Sequence, residues 1–335
     1  MKNGRYTKVF ALLATLTILI SFTGYGQDDR EERTPTMVKT FDLNQPGALN
    51  ARSSGGGVVV RTHDQNEVIV QVYIRKNGRL LSPSDADIDD VLELYDLEIN
   101  KNGYVITANV KRKPRVNLLQ NTGISLTILT PMEMSCNVSS SGGGLKISGV
   151  KGTHVFSSSG GGVELGGVSG STKASSSGGR VSAINQNGDS FFTSSGGGVT
   201  VDGAHGSVYA RSSGGGVHLA DINGDVEAGS SGGGVSVDAT GGSVKATSSG
   251  GPVRVKIRNL SGEMYLQSSG GGVDAIIQNG EKTGLDLDIS SSRVNIELNN
   301  FSGRAEKDRV KGTMNGGGIP VYMRSSGGNV KVSFE

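Results

Sequence analysis

The chain has 335 residues with 54 Gly, one Cys, no Trp and a formal net charge of +2. A lone Cys136 excludes an intramolecular disulfide. So small a charge gives no support to a nucleic-acid or acidic-membrane partner.

Residues 1–26 begin with Lys2, Arg5 and Lys8, continue through an apolar run from Val9 to Ile20, and end in Gly24-Tyr25-Gly26. This is the pattern of a secretory signal peptide, its apolar run too short for a comfortable membrane span. Cleavage is expected before Gln27. Removing the three cations changes the formal charge from +2 to −1, so the pI of 8.5 belongs mostly to the leader. No Cys lies near the cleavage point, which excludes lipoprotein-type attachment. No second apolar segment follows, so no integral membrane segment is expected afterwards. Residues 27–36, "QDDREERTPT", read as a disordered charged linker.

Residues 37–134 read as a β-rich N-terminal cap. They contain "SSGGGVVV" (53–60), the alternating "EVIVQVYI" (67–74) and "LEINKNGYVITANV" (97–110), a hairpin candidate turning at Asn102-Gly103. The run 82–97 carries Asp85, Asp87, Asp89 and Asp90 and raises a calcium question. Position six of an EF-hand loop would be Asp90 rather than Gly, and position twelve Asp96 rather than Glu. A short helix capped by Ser84, with acids in its first turn, accounts for the same residues.

From Ser140 the chain keeps a ruler. Ser-Ser pairs begin at 140, 158, 176, 194, 212, 230 and 248, every interval being 18 residues. A flexible linker has no reason to hold such a register, whereas stacked coils do. Each unit divides into two halves, as in "GGGVSVDAT" and "GGSVKATSS" (232–249), each with apolar residues two apart. Seven residues separate one apolar pair from the next, so a corner must reset the alternation. Gly152, Gly170, Gly188, Gly206, Gly224 and Gly242 occupy one such corner in six successive units, twice preceded by Asn.

The pairs Leu145/Ile147, Val163/Leu165, Val181/Ala183, Val199/Val201, Val217/Leu219, Val235/Val237 and Val253/Val255 should point inward. So should the column Phe156, Ala174, Phe192, Ala210, Ala228, Ala246 and Leu266. The expected fold is all-β: a single-stranded parallel β-helix, or β-solenoid, with 18-residue coils over 135–335. The spacing loosens after 268, and Pro320 suits an edge or distorted coil.

Chemistry is sparse in the pattern. One outward column, Lys146, Glu164, Ser182, Thr200, His218, Ser236 and Arg254, gathers no paired acids for glycoside cleavage. His63, His154, His205 and His218 lack metal spacing. His154 falls inward with Thr172 and Ser190, which suits a hydrogen-bonded core histidine, and Cys136 suits a small buried strand residue. No catalytic residue, metal site or cofactor is assigned. The other outward column reads Val155, Lys173, Phe191, Tyr209, Glu227, Lys245 and Tyr265. Aromatic faces there can stack on sugars or anchor a partner, so Phe191, Tyr209 and Tyr265 form the candidate surface patch. Ordinary cross-strand packing on an exposed sheet explains the same residues.

The run "LTILTPMEMSCNVSSSGGGLKISGVKGTHVFSSSGGGVELGGVSGSTKASSSGGRV" (126–181) resembles a large family of exported bacterial proteins. They are known as putative adhesins, formally a domain of unknown function with β-strand repeats. The leader ending in Gly-Gln is similar to those of the Bacteroidetes group. The resemblance implies a parallel β-helix, export to the periplasm or surface of a Gram-negative cell, and no catalytic residues to carry over. The resulting expectation is a non-enzymatic envelope protein with an adhesin-like binding or scaffold role, its partner a cell-surface glycan or an envelope protein. The alternatives are an envelope-stress component that docks another envelope protein and, less in keeping with the residues, a polysaccharide-active enzyme.

Overall fold

Serines eighteen residues apart become neighbours in the computed structural model, which describes residues 34–114 and 121–335. The proposed leader and most of the proposed linker lie outside the described residues. Apart from the helix Asp87–Leu92, the regular structure described is all β, and Pro35–Glu335 forms one compact unit. Thr36, the last residue assigned to the linker, is buried: it donates to Leu81 O at 2.7 Å and accepts from Ile74 N at 3.1 Å.

Two parallel ladders carry the repeat. In one, Val163, Val181, Val199, Val217, Val235 and Val253 are successive register partners. In the other, Cys136, His154, Thr172, Ser190, Val208, Val226 and Val244 follow in turn. The inward residues of both ladders join one hydrophobic cluster. Phe156 and Phe192 are fully buried with Ala174 between them, so a small side chain makes room for the large ones on the neighbouring strands. A third buried column, Gln186, Ala204, Ile222, Ala239 and Ile257, goes unnoticed in the sequence because its spacing slips after Ile222.

The two corners of a unit are built differently. All six glycines of the column Gly152 to Gly242 have positive φ. Three residues earlier, Gly149, Gly167, Asn185, Gly203 and Asp221 form a second positive-φ column. Asn and Asp stand in it because their short polar side chains tolerate the left-handed region. Together the two columns shift the buried set by one residue, which is the reset the spacing demands.

At the Ser-Gly-Gly corner the limit is space. A Cβ on Gly161 would lie 2.4 Å from Gly144 N, in the backbone of the neighbouring corner. The first serine of each pair is buried there. Ser176 Oγ donates to Gly161 O at 2.9 Å and accepts from Gly179 N at 2.9 Å. The same two bonds recur at Ser140, Ser212, Ser230, Ser248, Ser268 and Ser325. Serine therefore satisfies backbone groups that a buried tight turn would otherwise leave without partners.

Both ends depart from sequential order. Gly47–Ser53 and Val58–Thr62 stack directly on Met134–Ser140 and Leu145–Ser148, placing Ser53 beside Ser140. Val105–Arg112 and Thr122–Thr130 form the next layer. The antiparallel strands Tyr95–Asn102 and Glu67–Lys76 cover it. At the other end Ile319–Ser325 and Val330–Phe334 lie between earlier strands and Leu285–Ser290 and Val294–Ile296. Arg309–Met314 then covers Leu285–Ser290 in antiparallel fashion, with Phe301–Ala305 outside it. Short, exposed antiparallel strands leave little template for another parallel edge.

Three local expectations change. The helix has Ala86, not Ser84, at its N-cap, with no side-chain cap; instead Asp85 Oδ1 accepts from Asp87 N at 3.1 Å. The hairpin turns at Gly103-Tyr104, Asn102 being paired with Val105; glycine at the first central position suits that two-residue turn. Pro320 lies in a strand with neighbours on both sides rather than at an edge. Ile319 N–H donates to Gly284 O, so the missing N–H of Pro320 faces the other side, where pairing begins only at Val321.

Candidate functional site

The outward column of the second ladder becomes a continuous line in space. Successive register partners are Lys173, Phe191, Tyr209, Glu227, Lys245 and Tyr265. Parallel stacking places Phe191 on Tyr209, ring centroids 4.2 Å apart and planes within 4°. Lys173 Nζ lies 5.3 Å from the Phe191 centroid, and Arg211 Cζ 5.2 Å from that of Tyr209, so the pair carries a cation at each end.

Tyr265 does not join that stack. It stands three strands beyond Tyr209, with Glu227 and Lys245 between. Its register partner on the far side is Tyr322, which the sequence reading missed because the chain returns to this layer from the C-terminal end. The signal was present: Phe191, Tyr209, Tyr265 and Tyr322 each stand three residues before a buried corner serine. Counting from the serines instead of by eighteens recovers the fourth aromatic. Phe191 and Tyr322 retain 37% and 38% of their exposure, so both present ring surface to solvent.

Between Tyr209 and Tyr265 the shorter side chains leave a groove of about 850 Å³, lined also by Asp225, Glu227, Lys245 and Gln267. Glu227 bridges Arg211 at 2.8 Å and Lys245 at 3.4 Å. The Arg211 hydrogen bond, against a smaller opposing effect of burial, holds its carboxyl below the usual range. Asp225 is likewise held down, by hydrogen bonds from the backbone and hydroxyl of Ser243 at 2.7 and 2.8 Å. Tyr265 donates to Gln267 Oε1 at 2.6 Å. The groove, which Glu263 also lines, thus offers fixed acceptors between two aromatic rims, with cations paired to Glu227 alone of its three carboxylates.

The remaining candidates are structural in their surroundings. Cys136 is buried, and burial pushes its thiol up to about 12. His154 is buried beside it in register, donates from Nε2 to Ser169 O at 3.1 Å, and has its pKa lowered by burial. Three of the four acids of 85–90 face cations: Lys76 pairs with Asp87 and Asp90 at 2.8 and 3.0 Å, and Arg79 pairs with Asp85 and Asp87. Ammonium and guanidinium groups occupy the places a calcium ion would need. Among the described residues no group of three or more His, Cys, Asp or Glu is arranged to hold a metal. No helix among them is long and apolar enough to cross a membrane.

No family model and no curated protein matches the sequence. The chain is similar to solved structures described as putative adhesins or cell adhesion proteins. One, from Bacteroides fragilis, is 11% identical over 89% of this chain and 96% of its own, with a TM-score of 0.30. Another, from Parabacteroides distasonis, has the same identity and coverage with a TM-score of 0.26. A third, described as a putative cell adhesion protein from Clostridium sporogenes, is 11% identical over 89% and 98%, with a TM-score of 0.21. Superpositions this loose carry no argument about ligand or role.

Proposed function

We propose that this chain is an exported, non-enzymatic cell-envelope protein whose 18-residue units wind as a single-stranded parallel β-solenoid, with an adhesin-like binding role on one rigid face. The observation that carries the reading is the stacked Phe191–Tyr209 pair, exposed beside a groove on a ladder held in unbroken register. A stacked pair on a fixed sheet needs little further ordering on binding, so less of the interaction energy is lost to entropy. The carboxyls of Asp225 and Glu227 support binding over hydrolysis. Glycoside cleavage needs one carboxyl raised to act as an acid, and both are shifted the opposite way.

The test is retention of the purified chain on isolated envelope fractions, compared with a Phe191→Ala/Tyr209→Ala variant, while released sugar is assayed. Retention reduced about tenfold or more in the variant, without product release, is the expected result. Equal retention by both proteins would remove this face from the account.

A further inference from the structure

Resting on that reading of a binding face, we infer that the ligand is a linear, neutral glycan. It lies along the stacking direction and touches two aromatic pads at once: Phe191–Tyr209 and Tyr265–Tyr322. Three observations converge on this. The pads stand on one outward column, in register, with Glu227 and Lys245 between them. Tyr209 and Tyr265 are three strand spacings apart, about 14 Å, and the full array from Phe191 to Tyr322 spans about 24 Å. The groove joining them runs across the strands, so an occupant must be extended in that direction.

The chemistry of the lining selects the class. A pyranose ring has a C–H face, which the electron-rich face of an aromatic ring attracts, and a rim of hydroxyls, which carboxylates and amides bind. Both features occur together here. The ring surface that Phe191 and Tyr322 leave to solvent supplies the apolar contact, while Asp225, Glu227 and Gln267 supply acceptors between the pads. An anionic ligand would meet no matching field, because Asp225, Glu227 and Glu263 line the groove while Arg211 and Lys245 are already engaged by Glu227. An apolar helix or lipid would have to bury those same charges without replacing their water.

Two pads on one rigid support make binding bivalent. Once one pad is occupied, the second binds at an effective concentration in the millimolar range, which raises affinity by two orders of magnitude or more if the ligand can span both. The experiment measures affinities of cello-, chito- and xylo-oligosaccharides, each as a disaccharide and as a chain long enough to cross the groove. The full chain is compared with Tyr322→Ala, with Phe191→Ala/Tyr209→Ala, and with His218→Ala on the other ladder as a control.

The inference expects at least one series in which the long chain binds tenfold or more tighter than the disaccharide. Tyr322→Ala should abolish most of that gain and leave disaccharide binding within about twofold, which also shows the variant is folded. Affinity independent of length, or an equal loss in His218→Ala, would overturn it. So would no binding by any series while retention on envelope fractions persists. That last result would leave the binding face standing with a different partner, whereas loss of retention as well would end both.

Discussion

Between Met134 and Ser248 each strand pairs with the strand one repeat further along the chain, whereas at both ends the layers are filled out of order. In the middle, one rule serves every unit: crowded glycines at one corner, positive φ at the other, and a buried serine that closes the backbone accounts. At the ends, strands distant in sequence are brought together and then covered by antiparallel ones. The repeat can therefore be built locally, one unit on the last, but its ends require long-range closure. Nearest-neighbour stacking gives the middle its regularity, and the ends keep that regularity from continuing into another molecule.

The largest expected effect sharpens the difference between the two corners of the middle. Gly161→Ala puts a methyl group 2.4 Å from backbone that has no room to move, so a loss of about 3 kcal/mol or more is expected. Gly167→Ala meets nothing within 4 Å and suffers only from its φ of +60°, so about 1–2 kcal/mol is expected. Urea unfolding midpoints of the two variants check the order.

Removing residues 319–335 separates the middle from its C-terminal end. Leu285–Ser290 and Val294–Ile296 lose the strands that join them to the rest. Hydrogen exchange should then show protection lost over 285–314 and retained over 163–237. Uniform loss would mean that the ends hold the middle together, contrary to the nearest-neighbour view.

Much of the middle was legible because each unit repeats the same solution, so errors at one residue are corrected by five others. The buried pairs from Leu145 to Val255, the Phe156–Ala174–Phe192 column and the corner at Gly170 all follow from spacing. Spacing cannot show that Ser325 stacks on Ser268, since sequence distance there measures a detour rather than a coil. The same detour hid Tyr322, the fourth aromatic of the candidate site. The role of the corner serines was also hidden, because in a Gly/Ser run a hydroxyl buried for two backbone bonds reads the same as one facing water.

Ser212→Ala compares the ladder of serines in the middle with its first member. Ser212 makes bonds of 2.7 and 3.0 Å to Gly197 O and Gly215 N. Ser53 makes a 3.4 Å bond to Ile124 O and one of 3.1 Å from Gly56 N. Losing the first should cost about 1–3 kcal/mol, and Ser53→Ala less, measured by denaturant unfolding.

The smallest effect is a pH dependence from His154. Burial lowers its pKa below the ordinary 6.5, so the unfolded chain binds the proton more readily. The stability from keeping this ring neutral is present above about 6.5 and is lost as pH falls through the lower folded value. Thermal unfolding followed from about pH 7 to about pH 5 should show a decline that is weaker in His154→Thr, which places in this column the residue found at Thr172.

The most direct measurement is a pulsed electron-spin distance between labels on Glu164 and Arg254. These outward residues are joined through Ser182, Thr200, His218 and Ser236, so five strand spacings should separate them, about 24 Å in a narrow distribution. If eighteen residues do not advance the chain by one strand, ninety residues of Gly/Ser-rich sequence behave as a coil, and a broad distribution near about 50 Å would contradict the account.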